Sequence, residues 1–385
     1  MPPRPVIAAQ SETGDPLLLT PGPLTTSRSV KAAMLHDWGS RDAAFIRINR
    51  EVLDALPAIV NGGDDYVTVP VQGSGTFAVE AMLTTFVPRR GKCLLIVNGA
   101  YGQRARRILE IAKRRVTVLE TPEDTAPDLK AIEAVLKRQP AITHLFVVHC
   151  ETTSGILNPV PAIGAIAAKH GKGFLVDSMS AFGALPLDAR AVHADAIAAS
   201  SNKCIEGVPG LGFVICRKAA LAATKGNATT LVLDLHDQEA VLTRTGQYRF
   251  TPPIHVIVAF HQALAEFQAE GGQPGRGARY ANNCRVLVDG MRDMGFETLL
   301  PDALQAPIIV TFRMPTDRRF VFQTFYDRLK DRGFVIYPGK LTVADSFRIG
   351  CIGRLNADHM RAALDAVREV LAEMGVISVA AKKAA

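Results

Sequence analysis

From residue 66 to about residue 216, short apolar runs alternate with amphipathic stretches. The runs over 66–71, 93–97, 116–119, 145–149, 174–177, 196–200 and 213–216 are rich in Val, Ile, Leu and Phe and have strand length. Between several of them, apolar residues recur at helical spacing over 77–86, 102–113, 129–138 and 162–170. That alternation predicts an α/β fold: a mostly parallel seven-stranded sheet covered by helices, with ligands bound outside the carboxyl ends of its strands.

The pattern changes after residue 253. Helical spacing marks 254–270 and 280–294, separated by Gly271-Gly272-Gln-Pro-Gly275, which reads as a linker. An apolar strand over 307–312, a helix over 320–332, strands over 334–337 and 347–351, and a helix over 356–374 follow. These elements predict a smaller α+β C-terminal domain. The expected organisation is a flexible N-terminus at 1–16, a large domain at 17–253 with 17–40 able to join the smaller one, a small domain at 254–375, and a flexible tail at 376–385. No internal repeat is visible.

Composition narrows the class. The 385 residues are 48% hydrophobic and 21% charged, enough apolar side chain for a large core. The net charge is +7, but Lys and Arg are scattered among apolar residues at helical spacing, which predicts solvated helix faces and no nucleic-acid partner. Six cysteines form no CxxC pair, and nine histidines fall at no metal-ligand spacing, so reduced core thiols and no metal site are expected. No apolar run reaches the ~18 residues of a membrane span. The N-terminal stretch lacks the apolar segment of a secretory signal. A cytoplasmic location with no membrane partner is the default.

Three features carry chemistry. Asp177 ends an apolar strand, and Lys203 follows the next apolar strand within Ser200-Ser201-Asn202-Lys203. A buried carboxylate needs a cationic partner, and a protonated pyridine nitrogen is one; a lysine amine can hold an aldehyde as a Schiff base. The pair therefore suits pyridoxal 5'-phosphate. Upstream, Gln72-Gly73-Ser74-Gly75-Thr76 follows a strand and opens a helix, where glycines admit an anion to the backbone amides and two hydroxyls add donors. The bland readings remain beside these: a helix-start turn, a turn carboxylate and a surface lysine.

A series of short motifs in a fixed order resembles the class V aminotransferases of the fold-type I pyridoxal phosphate enzymes, over residues 17 to 353. They are Leu17-Leu-Leu-Thr-Pro-Gly-Pro-Leu-Thr-Thr26, Gln72-Gly-Ser-Gly-Thr-Phe-Ala-Val-Glu-Ala81, Asn98-Gly-Ala-Tyr-Gly102, His149-Cys-Glu-Thr-Thr-Ser-Gly155, Asp177-Ser-Met-Ser-Ala-Phe-Gly183, Asn202-Lys-Cys-Ile-Glu-Gly-Val-Pro-Gly210, Tyr248-Arg-Phe-Thr-Pro-Pro253, Tyr337-Pro-Gly-Lys340 and Phe347-Arg-Ile-Gly350.

The resemblance implies roles by position. Lys203 is the Schiff-base lysine and proton carrier, and Asp177 is the partner of the pyridine nitrogen. Ser74, Gly75 and Thr76 form the phosphate turn. Tyr101 stacks on the ring, and Thr152 lies near its phenolic oxygen. Tyr248 and Thr251 reach the phosphate from the partner subunit, so a homodimer with shared active sites is implied. Arg348, on an otherwise apolar strand, binds the carboxylate or phosphonate of the substrate. Gly22 and Trp38 belong to the substrate side. The implied reaction takes 2-aminoethylphosphonate as amino donor and pyruvate as acceptor, in phosphonate breakdown. An alanine-glyoxylate or serine-glyoxylate type shares every cofactor residue and is the alternative; a lyase or desulfurase would need a mobile cysteine loop. The stretch His36-Asp37-Trp38-Gly39-Ser40-Arg41-Asp42-Ala43-Ala44-Phe45 departs from the family pattern, with Arg41 where an aromatic is expected, which leaves the donor open.

Overall fold

The computed structural model describes residues 9–341 and 344–381. In chain order its strands are β1 (Leu17–Leu18), β2 (Tyr66–Gln72), β3 (Lys92–Val97), β4 (Arg115–Glu120), β5 (His144–Val148), β6 (Cys150–Glu151), β7 (Ile156–Leu157), β8 (Gly173–Asp177), β9 (Ala196–Ser200), β10 (Leu211–Arg217), β11 (Ile309–Arg313), β12 (Phe334–Val335), β13 (Tyr337–Pro338) and β14 (Ser346–Gly350). The helices are α1 (Arg28–Ala32), α2 (Ala43–Ile59), α3 (Gly75–Phe86), α4 (Ala100–Ile111), α5 (Leu129–Arg138), α6 (Val160–Lys169), α7 (Lys218–Ala222), α8 (Leu235–Thr245), α9 (Ile254–Ala269), α10 (Gly272–Asp293), α11 (Phe322–Asp331) and α12 (Ala357–Glu373).

The expected seven-stranded sheet forms, in the order β2-β10-β9-β8-β5-β3-β4. It is parallel except for β10, which runs antiparallel to β2 and β9. Its strands read as continuous apolar runs because both faces are covered. On one face, Leu94, Leu145, Val176 and Ile197 pack with residues of α2, α5, α6 and α9; on the other, Leu95, Phe146, Leu175 and Val214 pack with α3 and α4. Helix α9 lies beyond residue 253, yet its Ile257, Phe260 and Phe267 complete the core of this large sheet.

A second core surrounds the sheet β11-β14-β13 and takes in α10, α11 and α12. Phe312, Phe320, Phe325 and Phe347 pack ring against ring there. Leu17 and Leu19 join this core, and β1 pairs in parallel with β12. The chain start thus crosses to the second core before the large sheet begins.

Two readings need correction. The stretch Gly271-Gly272-Gln-Pro-Gly275 is no linker: α10 starts at Gly272 and runs 22 residues. Pro274 is tolerated because the first turn needs no intrahelical N–H. Gly275 leaves no room for a side chain, since a Cβ there would collide with the Glu270 carbonyl, so these glycines serve close approach. The apolar run near 334–337 is two short strands in two sheets: β12 pairs with β1 and β13 with β14.

Of the ends expected to be flexible, residues 1–8 and 382–385 lie outside the described residues. Within the described residues, the Ala9 amide donates to the Arg332 carbonyl at 2.8 Å, and the Thr316 amide donates to the Ala380 carbonyl at 3.0 Å. No described helix is long and apolar enough to cross a membrane.

Candidate active site

Four segments meet at the carboxyl ends of the parallel strands: the β2–α3 turn, the start of α4 after β3, the end of β8, and the turn after β9. Asp177, Lys203, Tyr101 and the Ser74–Thr76 turn line one cavity of about 400 Å³. The sequence predicts that these residues meet, and the topology explains why: strands in a parallel sheet deliver their C-terminal residues to one edge.

Asp177 is buried, with its Oδ1 accepting the Met179 amide at 2.9 Å. Burial raises its pKa to about 6, against the lowering effect of that amide. No basic side chain among the described residues is within ion-pair distance of it. Lys203 is half-buried on the same cavity, and its Nζ donates to the Pro21 carbonyl at 2.5 Å. Burial lowers its pKa to about 8. A lysine near 8 has an appreciable neutral fraction at physiological pH, which a nucleophilic or proton-accepting amine requires. Gly22 arches over this amine with φ +124, and a Cβ there would collide with Nζ.

The β2–α3 turn has the form of an anion site. Gly73 has φ +115, which lets the chain turn from β2 into the helix. Ser74 is the N-cap of α3, and its side chain makes no capping bond. A Cβ at Gly75 would strike Met179, so the glycine keeps the turn close to the Asp177 segment. Arg104 reaches the same turn: its Nη1 donates to Thr76 Oγ1 at 3.0 Å. Its guanidinium also lies 4.8 Å from the Tyr101 ring centroid. Arg104 was not singled out in the sequence, although it lies three residues after Tyr101 and so on the same helix face.

Glu151, also unread, positions Tyr101. It is fully buried, and its two oxygens accept the amides of Tyr101 (3.1 Å), Gly102 (3.3 Å) and Thr153 (3.2 Å) and the Thr153 hydroxyl (2.6 Å). The carboxylate thus satisfies free donors at the start of α4, where the helix dipole favours negative charge. It lies within the motif His149-Cys-Glu-Thr-Thr-Ser-Gly155, and only its glutamate could have given the signal.

Arg348 lies on β14 beyond Tyr101. It is 5% exposed. Its Nη1 donates to the Thr152 carbonyl at 2.8 Å and its Nε to the Pro338 carbonyl at 3.1 Å. Burial lowers its pKa, and no carboxylate among the described residues pairs with it. Among the described residues this buried guanidinium bonds only carbonyls, which leaves its charge without a partner anion there. Thr152 is buried beside it.

Six expected residues, Gly22, Trp38, Thr152, Tyr248, Thr251 and Arg348, are not among those lining the cavity. Trp38 packs against the large core with its Nε1 buried and unpartnered, its ring edge-on to His36 at 4.5 Å. The Tyr248 hydroxyl is likewise buried without a partner, and burial pushes its pKa up. The Thr251 carbonyl accepts Gln72 Nε2, just ahead of the phosphate-type turn. Tyr248 lines a neighbouring groove of about 310 Å³ with Gln72, Phe77 and Phe250.

Comparison with known proteins agrees with this geometry. Residues 27–324 match the family model of the class-V aminotransferases. A 2-aminoethylphosphonate–pyruvate transaminase of Pseudomonas putida is 52% identical over 364 residues, covering 94% of this chain and 99% of the relative. One of Cupriavidus taiwanensis is 53% identical over 362 residues, covering 94% and 96%. Among solved structures, pyridoxamine-pyruvate aminotransferase from Mesorhizobium loti superposes with TM-score 0.86 at 26% identity, over 95% of this chain and 94% of that one. Alanine-glyoxylate aminotransferase from Nostoc sp. has the same fold, with TM-score 0.86 at 23% identity, over 96% and 98%. The buried Asp177, the half-buried Lys203, the helix-start turn and the whole-length match lead to one statement: the chain belongs to the class-V aminotransferase family.

Proposed function

We propose that this aminotransferase uses pyridoxal 5'-phosphate to move the amino group of 2-aminoethylphosphonate to pyruvate, giving phosphonoacetaldehyde and L-alanine. The activity carried by relatives more than half identical over nearly their whole length supports the substrate pair. The observation that carries the reading is Arg348, a buried guanidinium with no partner anion among the described residues, set beyond the ring of Tyr101 and the amine of Lys203.

The residues present fit the cofactor. Asp177 is a buried carboxylate in want of a cation, and Ser200 Oγ is buried without a partner on the same cavity. The α3 amides, Ser74, Thr76 and Arg104 would hold its phosphate; Tyr101 would pack on its ring. When bound, the cofactor supplies an electron-withdrawing ring that stabilises negative charge on the amino-bearing carbon of the donor. Lys203 Nζ takes the proton from that carbon and later returns it at the other end of the exchange. Asp177 holds the balancing negative charge beneath the reaction. Arg348 orients the anionic group of the donor and then that of the keto acid, so the donor half-reaction precedes the acceptor half-reaction at one site.

A homodimer follows from the same reading. Phe77 (49% exposed), Val232 (65%) and Phe250 (43%) surround the groove beside the catalytic cavity. Apolar side chains this exposed beside a site favour a second subunit over them. Tyr248 and Thr251 would then serve the partner's phosphate turn.

The direct test is release of phosphonoacetaldehyde from 2-aminoethylphosphonate plus pyruvate, with taurine, alanine and serine as control donors. Release above the controls is expected, and Lys203→Ala should abolish it together with the visible absorbance of bound cofactor. Faster turnover of alanine or serine with glyoxylate would overturn the substrate assignment.

A further inference from the structure

The proposed donor and acceptor differ in charge at the end that Arg348 would grip. A carboxylate carries one negative charge, whereas a phosphonate that has lost both protons carries two and presents a third oxygen. One guanidinium balances the first but not the second. Arg348 also has two of its nitrogens committed to the Thr152 and Pro338 carbonyls. A site that takes a phosphonate needs a second cation near Arg348.

Lys340 is the candidate, linked to Arg348 through Tyr101 and Pro338. Lys340 Nζ lies 4.7 Å from the centroid of the Tyr101 ring, and Arg348 lies within electrostatic reach of the same tyrosine. The root of Lys340 is fixed by the strand that Arg348 holds. Arg348 Nε bonds the carbonyl of Pro338, and only Gly339 separates Pro338 from Lys340. The Gly339 amide donates to the Ser346 carbonyl at 2.9 Å, and a Cβ on Gly339 would collide with that carbonyl, so the turn lies tight against β14. Arg104, the other cation on the Tyr101 ring, is bonded to Thr76 of the helix-start turn. The two cations therefore serve different anions. No carboxylate among the described residues is within ion-pair distance of Lys340.

We propose that Lys340 is a specificity-determining residue: with Arg348 it binds the doubly charged phosphonate, whereas a carboxylate is held by Arg348 alone. The inference rests on the proposed substrate pair, and it explains how one site accepts both partners in turn. A lysine suits the task because its ammonium is a mobile point charge that can close on a third oxygen and swing out to water when a carboxylate enters.

Ethylphosphonate and propionate carry the same ethyl group, and at alkaline pH, where the phosphonate has lost its second proton, they differ in charge, so their dissociation constants on the holoenzyme, measured there by calorimetry, isolate the effect. Lys340→Gln should weaken ethylphosphonate about tenfold and propionate by no more than about twofold. Lys340→Arg should recover most of the difference, and Arg348→Gln should weaken both ligands. Lys340 is exposed, so its variants are expected to fold, and unchanged thermal midpoints would confirm this. Equal weakening of both ligands, or of neither, overturns the proposal. If the wild type fails to turn over 2-aminoethylphosphonate but shows the Lys340-dependent preference for ethylphosphonate, the substrate assignment falls and the second cation stands.

Discussion

Lys203 Nζ donates its hydrogen bond to the Pro21 carbonyl, and the next residue, Gly22, bends over the amine in a conformation open only to glycine without strain. A side chain at position 22 would meet the amine head-on and also pay for φ +124, a strain of about 1–3 kcal/mol. Gly22→Ala is therefore expected to displace the amine and to weaken cofactor loading at least tenfold by visible absorbance titration. Loading equal to wild type would show that the amine does not depend on this arch.

Burial holds Lys203 at about 8, well below an ordinary lysine. The neutral amine is the reactive form, so it predominates above pH 8 and dwindles below. The rate at which cofactor-free protein condenses with pyridoxal 5'-phosphate should rise with pH with its midpoint near 8. A midpoint near the ordinary 10.5 would mean that the fold leaves the amine unperturbed.

Asp177 illustrates a cost that the cofactor relieves. Its folded pKa, about 6, lies above the ordinary 3.8, so the fold favours the protonated form. Stability of the cofactor-free protein should thus fall as pH rises from about 4 to 6 and stay lowered above that, by on the order of 3 kcal/mol. Asp177→Asn removes the charge and keeps the acceptor for Met179. It should raise the thermal midpoint of the cofactor-free protein at pH 7.5, with a smaller gain at pH 5, while the added cofactor stabilises the variant less than wild type. A variant less stable than wild type at pH 7.5 would contradict this.

The contact between Arg104 and Thr76 predicts a phosphate-specific effect. Arg104→Gln should weaken pyridoxal 5'-phosphate about tenfold and leave pyridoxal, which lacks the phosphate, nearly unchanged. Comparable losses for both would assign Arg104 to the ring instead.

Glu206, three residues after Lys203, ties that turn to the second core. It is buried at φ +63; its amide donates to the Lys203 carbonyl at 2.7 Å, and its carboxylate pairs with Arg276 and Arg279 and accepts the Tyr280 hydroxyl. Tyr280 in turn accepts the Gly353 amide, just beyond β14. Glu206→Ala strands two guanidinium groups that retain only Glu270 and carbonyl partners, and should cost about 3 kcal/mol in denaturant unfolding. Glu206→Gln, which keeps the acceptor oxygen, should cost less.

Much of this was legible in the chain. The seven strands of the large sheet appear within two residues of their observed ends, because strands covered on both faces must be apolar throughout and therefore stand out. Asp177, Lys203 and the Ser74–Thr76 turn were legible for a related reason: each is a polar break at the end of an apolar run. Helices α2 and α8 went unread, as did the start of α10, where glycines chosen for close packing imitate a linker. Glu151 and Arg104 were missed because an acid and a base on a helix face are ordinary until their partners are known.

The amino-acid sequence alone determined the layered α/β architecture and the residue types at the strand ends, since both follow from local periodicity. Only the tertiary structure decided what those residues experience. The Pro21 carbonyl reaches Lys203 across 182 positions of chain, and Thr152 reaches Arg348 across 196. Burial, which moves Asp177 up and Lys203 down, is a property of the assembled core; no window of sequence contains it.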